Sequence, residues 1–171
     1  MQISFEIPGP PQGKARPRIV RTKSGNSVGF TVDKTVAYEE LVRARYIQAA
    51  REKGITKPFE TSISMCIYAC YPIPKSASKK ISEAMKAGEI LPTKKPDWDN
   101  IAKIVCDALN GLAYKDDAQI TCGAVYKAYT VGAGHVHVSI SEYLAAQEER
   151  YQNHISQTNL FLQKEEIGEN L

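Results

Sequence analysis

Several signals that assign a protein to a membrane or to secretion are missing from this chain of 171 residues. No apolar run reaches the roughly 20 residues that a membrane-spanning helix needs. The opening residues, MQISFEIPGP, lack the basic and apolar regions of a secretory signal peptide. We therefore expect a cytoplasmic protein without a membrane partner.

The chain is also poor in the residues that bind zinc or form disulfides. It has four cysteines and three histidines, and no two cysteines have the CxxC spacing of a zinc or redox motif. We interpret the cysteines as reduced thiols in apolar segments. The sequence lacks the glycine-rich loop of P-loop proteins, which argues against a hydrolase of small nucleotides. We expect no small-molecule cofactor.

Charges of both signs are present, but they are unevenly distributed. Residues 142–171 hold six acidic and two basic side chains and carry about −4, whereas residues 1–141 carry about +7. A basic body with an acidic tail is typical of a protein that binds a polyanion. We predict a globular domain at 1–143 and a polar acidic tail at 144–171, helical or partly disordered.

The spacing of apolar residues predicts a mixed α/β (α+β) domain, with a single mixed sheet of about four strands and helices packed on one face. We expect the last two strands to pair as an antiparallel hairpin around the turn VGAG. The predicted strands cover 2–7, 62–71, 116–130 and 135–143, and the predicted helices cover 33–53, 75–89 and 100–112. The core-facing residues are predicted to be Val36, Leu41, Ala44 and Ile47 in the first helix and Ile101, Ile104, Val105, Ala108, Leu109 and Leu112 in the third.

Two groups of cations are candidates for contacts with nucleic acid phosphates. The first group occupies a proline-containing loop or ribbon after the first strand, where a solvated loop is an equally good explanation. The second group lies in the basic helix and in the link to the third helix. Contacts of this kind position DNA without reading its sequence. The candidates are Lys14, Arg16, Arg18, Arg21 and Lys23 in the first group, and Lys75, Lys79, Lys80, Lys94 and Lys95 in the second.

The segment KKPDWDNIAKIVCDALNG, residues 94–111, places two aspartates at the start of the third helix. Asp97 or Asp99 is suited to cap the first turn, and Asp99 and Lys103 have the i, i+4 spacing of a helical ion pair. Asp116 and Asp117 follow the helix and have the composition of a turn. These structural roles would explain the motif without any chemistry.

A metal site is the alternative interpretation. If Asp97, Asp99 and Asp117 lie about 5 Å apart, each pair of carboxylates repels by roughly 3 kcal/mol at an effective dielectric of about 20, and a divalent cation would relieve this repulsion. Oxygen ligands favour Mg²⁺, or Mn²⁺ in its place, over zinc. This interpretation requires the three carboxylates to meet at one end of the helix, and the sequence leaves open which end Asp117 approaches. Trp98 is interpreted as packing beside the site, with stacking on a DNA base as the alternative.

The segment KKPDWDNIAKIVCDALNGLAYKDDAQI resembles the signature of the RusA family of Holliday-junction resolvases. The shared features are D-x-D-N, a lysine four residues after the second aspartate, D-A-L, and D-D-A-Q-I. The opening strand with its two prolines and the GKARPR segment are similar to longer members found in phage and prophage sequences. The resemblance covers about 1–142, and the chain departs from it by a basic insertion at 75–93, which bears on the DNA shapes that the protein grips.

The resemblance implies a small α/β homodimer that cuts four-way DNA junctions with a divalent metal, in recombination and repair. It implies that Asp97, Asp99 and Asp117 are catalytic metal ligands and that Lys103 is the catalytic lysine, with Asp116 a lesser contributor. Symmetric cutting of two strands also calls for two sites related by a twofold axis. A non-catalytic, structure-selective DNA-binding protein that uses the same basic surface is the alternative.

Overall fold

The computed structural model describes residues 1–15, 18–21, 27–30 and 33–143, the two short ranges as backbone only, and in this part the chain forms six strands and three α-helices. The predicted tail at 144–171 lies outside these residues. The strands are β1 (Gln2–Pro8), β2 (Arg18–Arg21), β3 (Ser27–Phe30), β4 (Ile63–Pro72), β5 (Ile120–Thr130) and β6 (His135–Glu142). The helices are α1 (Asp33–Glu52), α2 (Lys79–Lys86) and α3 (Trp98–Leu109).

Four of the strands form one mixed sheet in the order β1-β6-β4-β5, which confirms the predicted sheet. Strand β6 is antiparallel to both β1 and β4, whereas β4 and β5 are parallel. Parallel strands need a crossover connection, and here α2 and α3 lie within that connection. Strands β2 and β3 form a separate antiparallel ribbon in the segment predicted to be a loop or ribbon.

The predicted hairpin of β5 and β6 is wrong, because β4 lies between them. Two strand spacings come to about 10 Å, and the four residues 131–134 can span up to about 13 Å when extended. The connection passes close over the end of β4. A Cβ on Gly134 would lie 3.0 Å from Cδ of Pro72 and 3.1 Å from the carbonyl oxygen of Cys70. Glycine therefore lets the chain cross β4 instead of turning back beside β5.

One hydrophobic core lies between a face of the sheet and the helices α1 and α3. Helix α3 buries the five residues predicted within it, while Leu112 follows the helix and is half-buried. The opposite face of the sheet leaves Tyr68 and Tyr126 exposed. Among the described residues, no helix has both the length and the apolar character needed to cross a membrane. All four cysteines are unpaired and half-buried.

The predicted core face of α1 is only partly right, because Leu41 and Ile47 pack half-buried against the core but Ala44 is exposed. The helix buries a neighbouring face that includes Tyr38, Val42 and Tyr46, whereas Val36 is exposed. The tyrosine rings decide the orientation, because each offers a large apolar area to the core despite its hydroxyl group. The ring of Tyr46 packs edge-on against Phe5 with 5.9 Å between the ring centres.

Helix α2 is shorter than predicted and buries no side chain. It begins after Ser78, whose hydroxyl oxygen accepts a hydrogen bond from the backbone N–H of Ile81 at 3.4 Å. The helix therefore stands on the surface beside β5 and leaves its lysines in solvent.

Candidate active site

The segment that leads into α3 is fastened to the second half of β5. The indole N–H of Trp98 donates to the carbonyl oxygen of Val125 at 3.0 Å. The ammonium of Lys127 donates to the carbonyl oxygens of Lys94 and Pro96 at 2.6 and 3.1 Å. Sequence reasoning missed Lys127, because its partners lie about 30 residues away and no local pattern indicates them.

The two aspartates at the start of α3 are exposed and largely uncommitted. Asp97 precedes the first turn without a side-chain capping bond, and Asp99 accepts a 3.5 Å hydrogen bond from the side-chain amide of Asn100. Lys103 lies one turn further on and is exposed. Among the described side chains there is no ion pair between Asp99 and Lys103. Asp97 thus occupies the predicted N-cap position without the expected side-chain bond, and the predicted ion pair of Asp99 and Lys103 is wrong.

Asp117 lies towards the other end of α3. It begins a 3₁₀ turn, Asp117–Gln119, directly before β5, whereas the start of α3 contacts β5 further along, at Val125. Five residues of strand span about 17 Å. Burial raises the pKa of the Cys106 thiol to about 11, and the nearby charge of Asp117 adds to this rise. Cys106 is seven residues, or about 10 Å of helix, beyond Asp99.

The structure therefore does not bring the three predicted carboxylates together within one chain. In the described part of the chain, no group of three or more Asp, Glu, His or Cys side chains is arranged to hold a metal ion. Asp97 and Asp99 both belong to the start of α3, and Asp117 lies apart. Carboxylate oxygens are the donors that hard divalent cations prefer. The donor type thus fits a magnesium-like ion, and the start of α3 carries two of the three predicted ligands.

Asp116 has a structural task in the turn before β5. Its carboxylate accepts a hydrogen bond from the backbone N–H of Ala118 at 2.9 Å, and the side-chain oxygen of Gln119 accepts one from the N–H of Asp116 at 3.3 Å. The amide nitrogen of Gln119 also donates to the carbonyl oxygen of Phe59 at 3.0 Å. This capping box commits Asp116 to the fold, whereas the side chain of Asp117 is exposed.

A cleft of about 430 Å³ opens beside Asp97. Its walls are the loop after β1, the first turn of α1 and the segment before α3. The N-terminal ends of two helices border it, and each carries a partial positive charge. The exposed lysines Lys34 and Lys95 also line the cleft. Positive helix ends and free lysines suit a phosphate group.

Lys14, predicted to contact a DNA phosphate, is committed to two carboxylates instead. Its ammonium lies 2.5 Å from the carboxylate of Glu39 and 2.9 Å from that of Asp107. Burial acts to lower the pKa of Lys14, but the hydrogen bonds and charges of the two carboxylates outweigh burial, and the pKa is raised. The backbone N–H of Lys14 donates to the carbonyl oxygen of Asn100 at 3.0 Å. Lys14 thus ties the loop after β1 to both helices.

The other predicted DNA contacts stay predictions. Five of them are exposed lysines: Lys75, Lys79, Lys80, Lys94 and Lys95. Arg16 and Lys23 lie outside the described residues, and Arg18 and Arg21 belong to β2, whose side chains are not described. Sequence reasoning missed Lys34, which reaches the cleft through the fold and lies in no basic run.

Comparisons with known proteins cover most of the domain. A family model described as Endodeoxyribonuclease RusA matches residues 8–141, which include the whole of α3 and both aspartate pairs. The chain is also 37% identical over 130 residues to the uncharacterized protein YqaN of Bacillus subtilis (strain 168), an alignment that covers 75% of this chain and 88% of YqaN. The chain belongs to the RusA family of endodeoxyribonucleases.

Proposed function

We propose that this protein is a metal-dependent endodeoxyribonuclease that resolves four-way DNA junctions by paired phosphodiester hydrolysis, in recombination and repair. The observation that carries the proposal is the pair of uncommitted carboxylates of Asp97 and Asp99 at the edge of a lysine-lined cleft. Membership of an endodeoxyribonuclease family supports the reaction class. We further propose that the protein acts as a homodimer in the cytoplasm.

Asp97 and Asp99 would hold a divalent cation, Mg²⁺ or Mn²⁺ in its place, with Asp117 as the third carboxylate. When bound, such a cation supplies an activated water and neutralises negative charge on the phosphate. Asp117 lies apart from the pair, so it takes part only if binding of DNA or of a second copy of the chain brings it closer. Asp116 is held in its capping box, which favours a structural role over a part in the reaction.

The cations of the site have different tasks from the carboxylates. Lys103, one turn beyond Asp99, would stabilise the charge that grows on the reacting phosphate. Lys34 and Lys95 would hold neighbouring phosphates in the cleft, where they add affinity without sequence preference. A four-way junction has to be cut on two strands, and each chain offers one such site. A twofold-symmetric dimer supplies the pair.

Cleavage of a fixed four-way junction and of a matching linear duplex, each with Mg²⁺ and with EDTA, tests the proposal. Two symmetric nicks are expected in the junction with Mg²⁺ alone. Asp97→Asn should abolish nicking while junction binding survives or strengthens, because a negative charge that faces phosphate is removed. Glu40→Gln removes an exposed carboxylate of α1 and serves as the matched control, which should cut at the normal rate.

Three outcomes would contradict the proposal in different ways. Cutting at full rate in EDTA would exclude the metal. Tight junction binding without nicking under any of these conditions would favour the alternative, a non-catalytic structure-selective DNA-binding protein. Equal cutting of junction and linear duplex would agree with a nuclease but contradict its preference for junctions.

A further inference from the structure

The chain has one tryptophan, and this residue is exposed inside the candidate active site. Trp98 stands between Asp97 and Asp99, and 55% of its surface is accessible to solvent. A side chain whose task is packing buries most of its ring, as Tyr46 and Tyr71 do in this protein. The packing role that the sequence suggests therefore does not account for Trp98.

The exposed ring is nevertheless held in place. Its N–H donates to the carbonyl oxygen of Val125 at 3.0 Å, which satisfies the polar group of the indole within the protein. The solvent-facing remainder of the ring is an apolar π surface. A side chain that is already fixed loses little rotamer freedom when a ligand covers it. The arrangement is that of a preformed platform for a flat partner.

The surroundings of the platform favour a partner that carries phosphate. Lys94 and Lys95 are exposed a few residues before the ring. Nucleobases stack on aromatic side chains while nearby cations hold the backbone. In a linear duplex both faces of each base are covered by neighbouring bases, whereas a branch point can expose a base face.

We propose that Trp98 stacks on a nucleobase unstacked at the branch point of a DNA junction, and so distinguishes branched from linear DNA at the site itself. The inference rests on the proposed function, because it places this base beside the phosphate on which Asp97 and Asp99 act. It adds a base-binding residue to a site otherwise built from carboxylates and lysines.

The exposed tyrosines are poorer candidates for this task. Tyr68 and Tyr126 stack on each other, with 4.9 Å between ring centres and 20° between ring planes. Each ring thus has one face already covered by the other. Both stand on the exposed face of the sheet, opposite to the core.

The single tryptophan allows a direct test by fluorescence. Titration of the protein in EDTA with a four-way junction should quench the emission of Trp98 strongly, while a linear duplex of matching sequence should quench it little at equal saturation. The emission therefore reports directly on the contact made by the ring of Trp98. An emission that is unchanged at saturating junction would overturn the inference.

Two substitutions separate stacking from a structural role. Trp98→Phe and Trp98→Leu both lose the hydrogen bond to Val125, but Trp98→Phe alone keeps an aromatic ring. Trp98→Leu should weaken junction binding by about 5- to 150-fold, the range expected for loss of one base–aromatic stack, and should lose most of the preference over duplex. Trp98→Phe should keep most of both. Equal losses in the two variants, at equal thermal stability, would assign Trp98 to packing and overturn the inference.

The fluorescence test can fail separately from the proposed function. If junction DNA quenches the emission of Trp98 but is not nicked with Mg²⁺, the base-binding role of Trp98 stands and the proposed nuclease activity is contradicted. If the junction is nicked without any change in the emission of Trp98, the nuclease activity stands and the base-binding role of Trp98 is contradicted.

Discussion

Lys14 and Lys95 line the same cleft, yet their contacts assign them different tasks, and a matched pair of substitutions separates these tasks. Lys14→Met removes an ammonium that lies 2.5 and 2.9 Å from the carboxylates of Glu39 and Asp107. Lys95→Met removes an exposed ammonium that has no ion pair among the described side chains. Each change lowers the net charge by one, so the long-range electrostatic effect is the same.

The two substitutions are expected to change different quantities. One phosphate contact on duplex DNA contributes about 0.9 to the slope of log affinity against log salt, so Lys95→Met should lower that slope by about 1. Lys14→Met should leave the slope unchanged. Without the ammonium of Lys14, two half-buried carboxylates face each other, and hydrogen bonds to charged groups contribute about 1.5–3 kcal/mol. We expect the free energy of unfolding to fall by about 1–3 kcal/mol, and the Tm to fall by about 2–4 °C per kcal/mol.

Anisotropy measures the affinity for the junction in EDTA between about 50 and 200 mM salt. Urea unfolding measures the stability of each variant. The raised pKa of Lys14 sets a further condition. Its contribution to stability is complete below the unfolded pKa of about 10.4 and is lost only as the pH rises through the higher folded value. The stability difference should therefore be constant across neutral pH. A Lys14→Met protein with normal stability and a reduced salt slope would refute the reasoning.

Three further predictions address the carboxylates, the lysine of α3 and the buried tyrosines. Asp117→Asn should slow nicking with the fold intact, whereas Asp116→Ala should cost about 0.5–2 kcal/mol of stability through its lost cap and largely spare the rate; the reverse pattern in nicking and urea assays would exchange their roles. Lys103→Ala should slow single-turnover nicking more than it weakens binding, and equal losses would make it an ordinary phosphate contact. Burial raises the pKa values of Tyr38 and Tyr71 to about 12, so their contribution to stability is complete below about pH 10 and is lost as the pH rises towards 12. The Tm should fall over that range and fall less in the Phe variants, and an equal fall in those variants would contradict this origin.

The start of α3 could be predicted from the sequence because the information is local. The spacing of Ile101, Ile104 and Val105 determines which side of the helix is buried, and the residues just before the first buried position stand at the N-terminal end of the helix. The helix and its aspartates also lie in one contiguous motif. No knowledge of strand order is needed to place Asp97 and Asp99 together.

The position of Asp117 could not be predicted in the same way. A helix of twelve residues is about 18 Å long, and residues 110–116 could span about 23 Å if extended, so their length allows a return to either end of α3. In the structure, residues 110–116 stay close to the C-terminal end of α3. The backbone N–H groups of Leu112 and Ala113 both donate to the carbonyl oxygen of Leu109, and the hydroxyl of Tyr114 donates to the carbonyl oxygen of Cys106. These turns hold the start of β5 at the far end of the helix.

Composition alone overstates the basic surface that is available to DNA, because it counts every lysine alike. Near the cleft, Lys14 neutralises carboxylates of the protein itself, and Lys127 satisfies backbone carbonyls. Lys34 and Lys95 have no acidic partner among the described side chains, and neither has Asp97 a basic one. Charges that are paired within the chain hold the fold together, whereas charges left unpaired at the edge of a cleft are free to bind an ion or a phosphate. The state of pairing, which depends on contacts between residues distant in the sequence, therefore separates the cations that hold the fold from those that are available to a ligand.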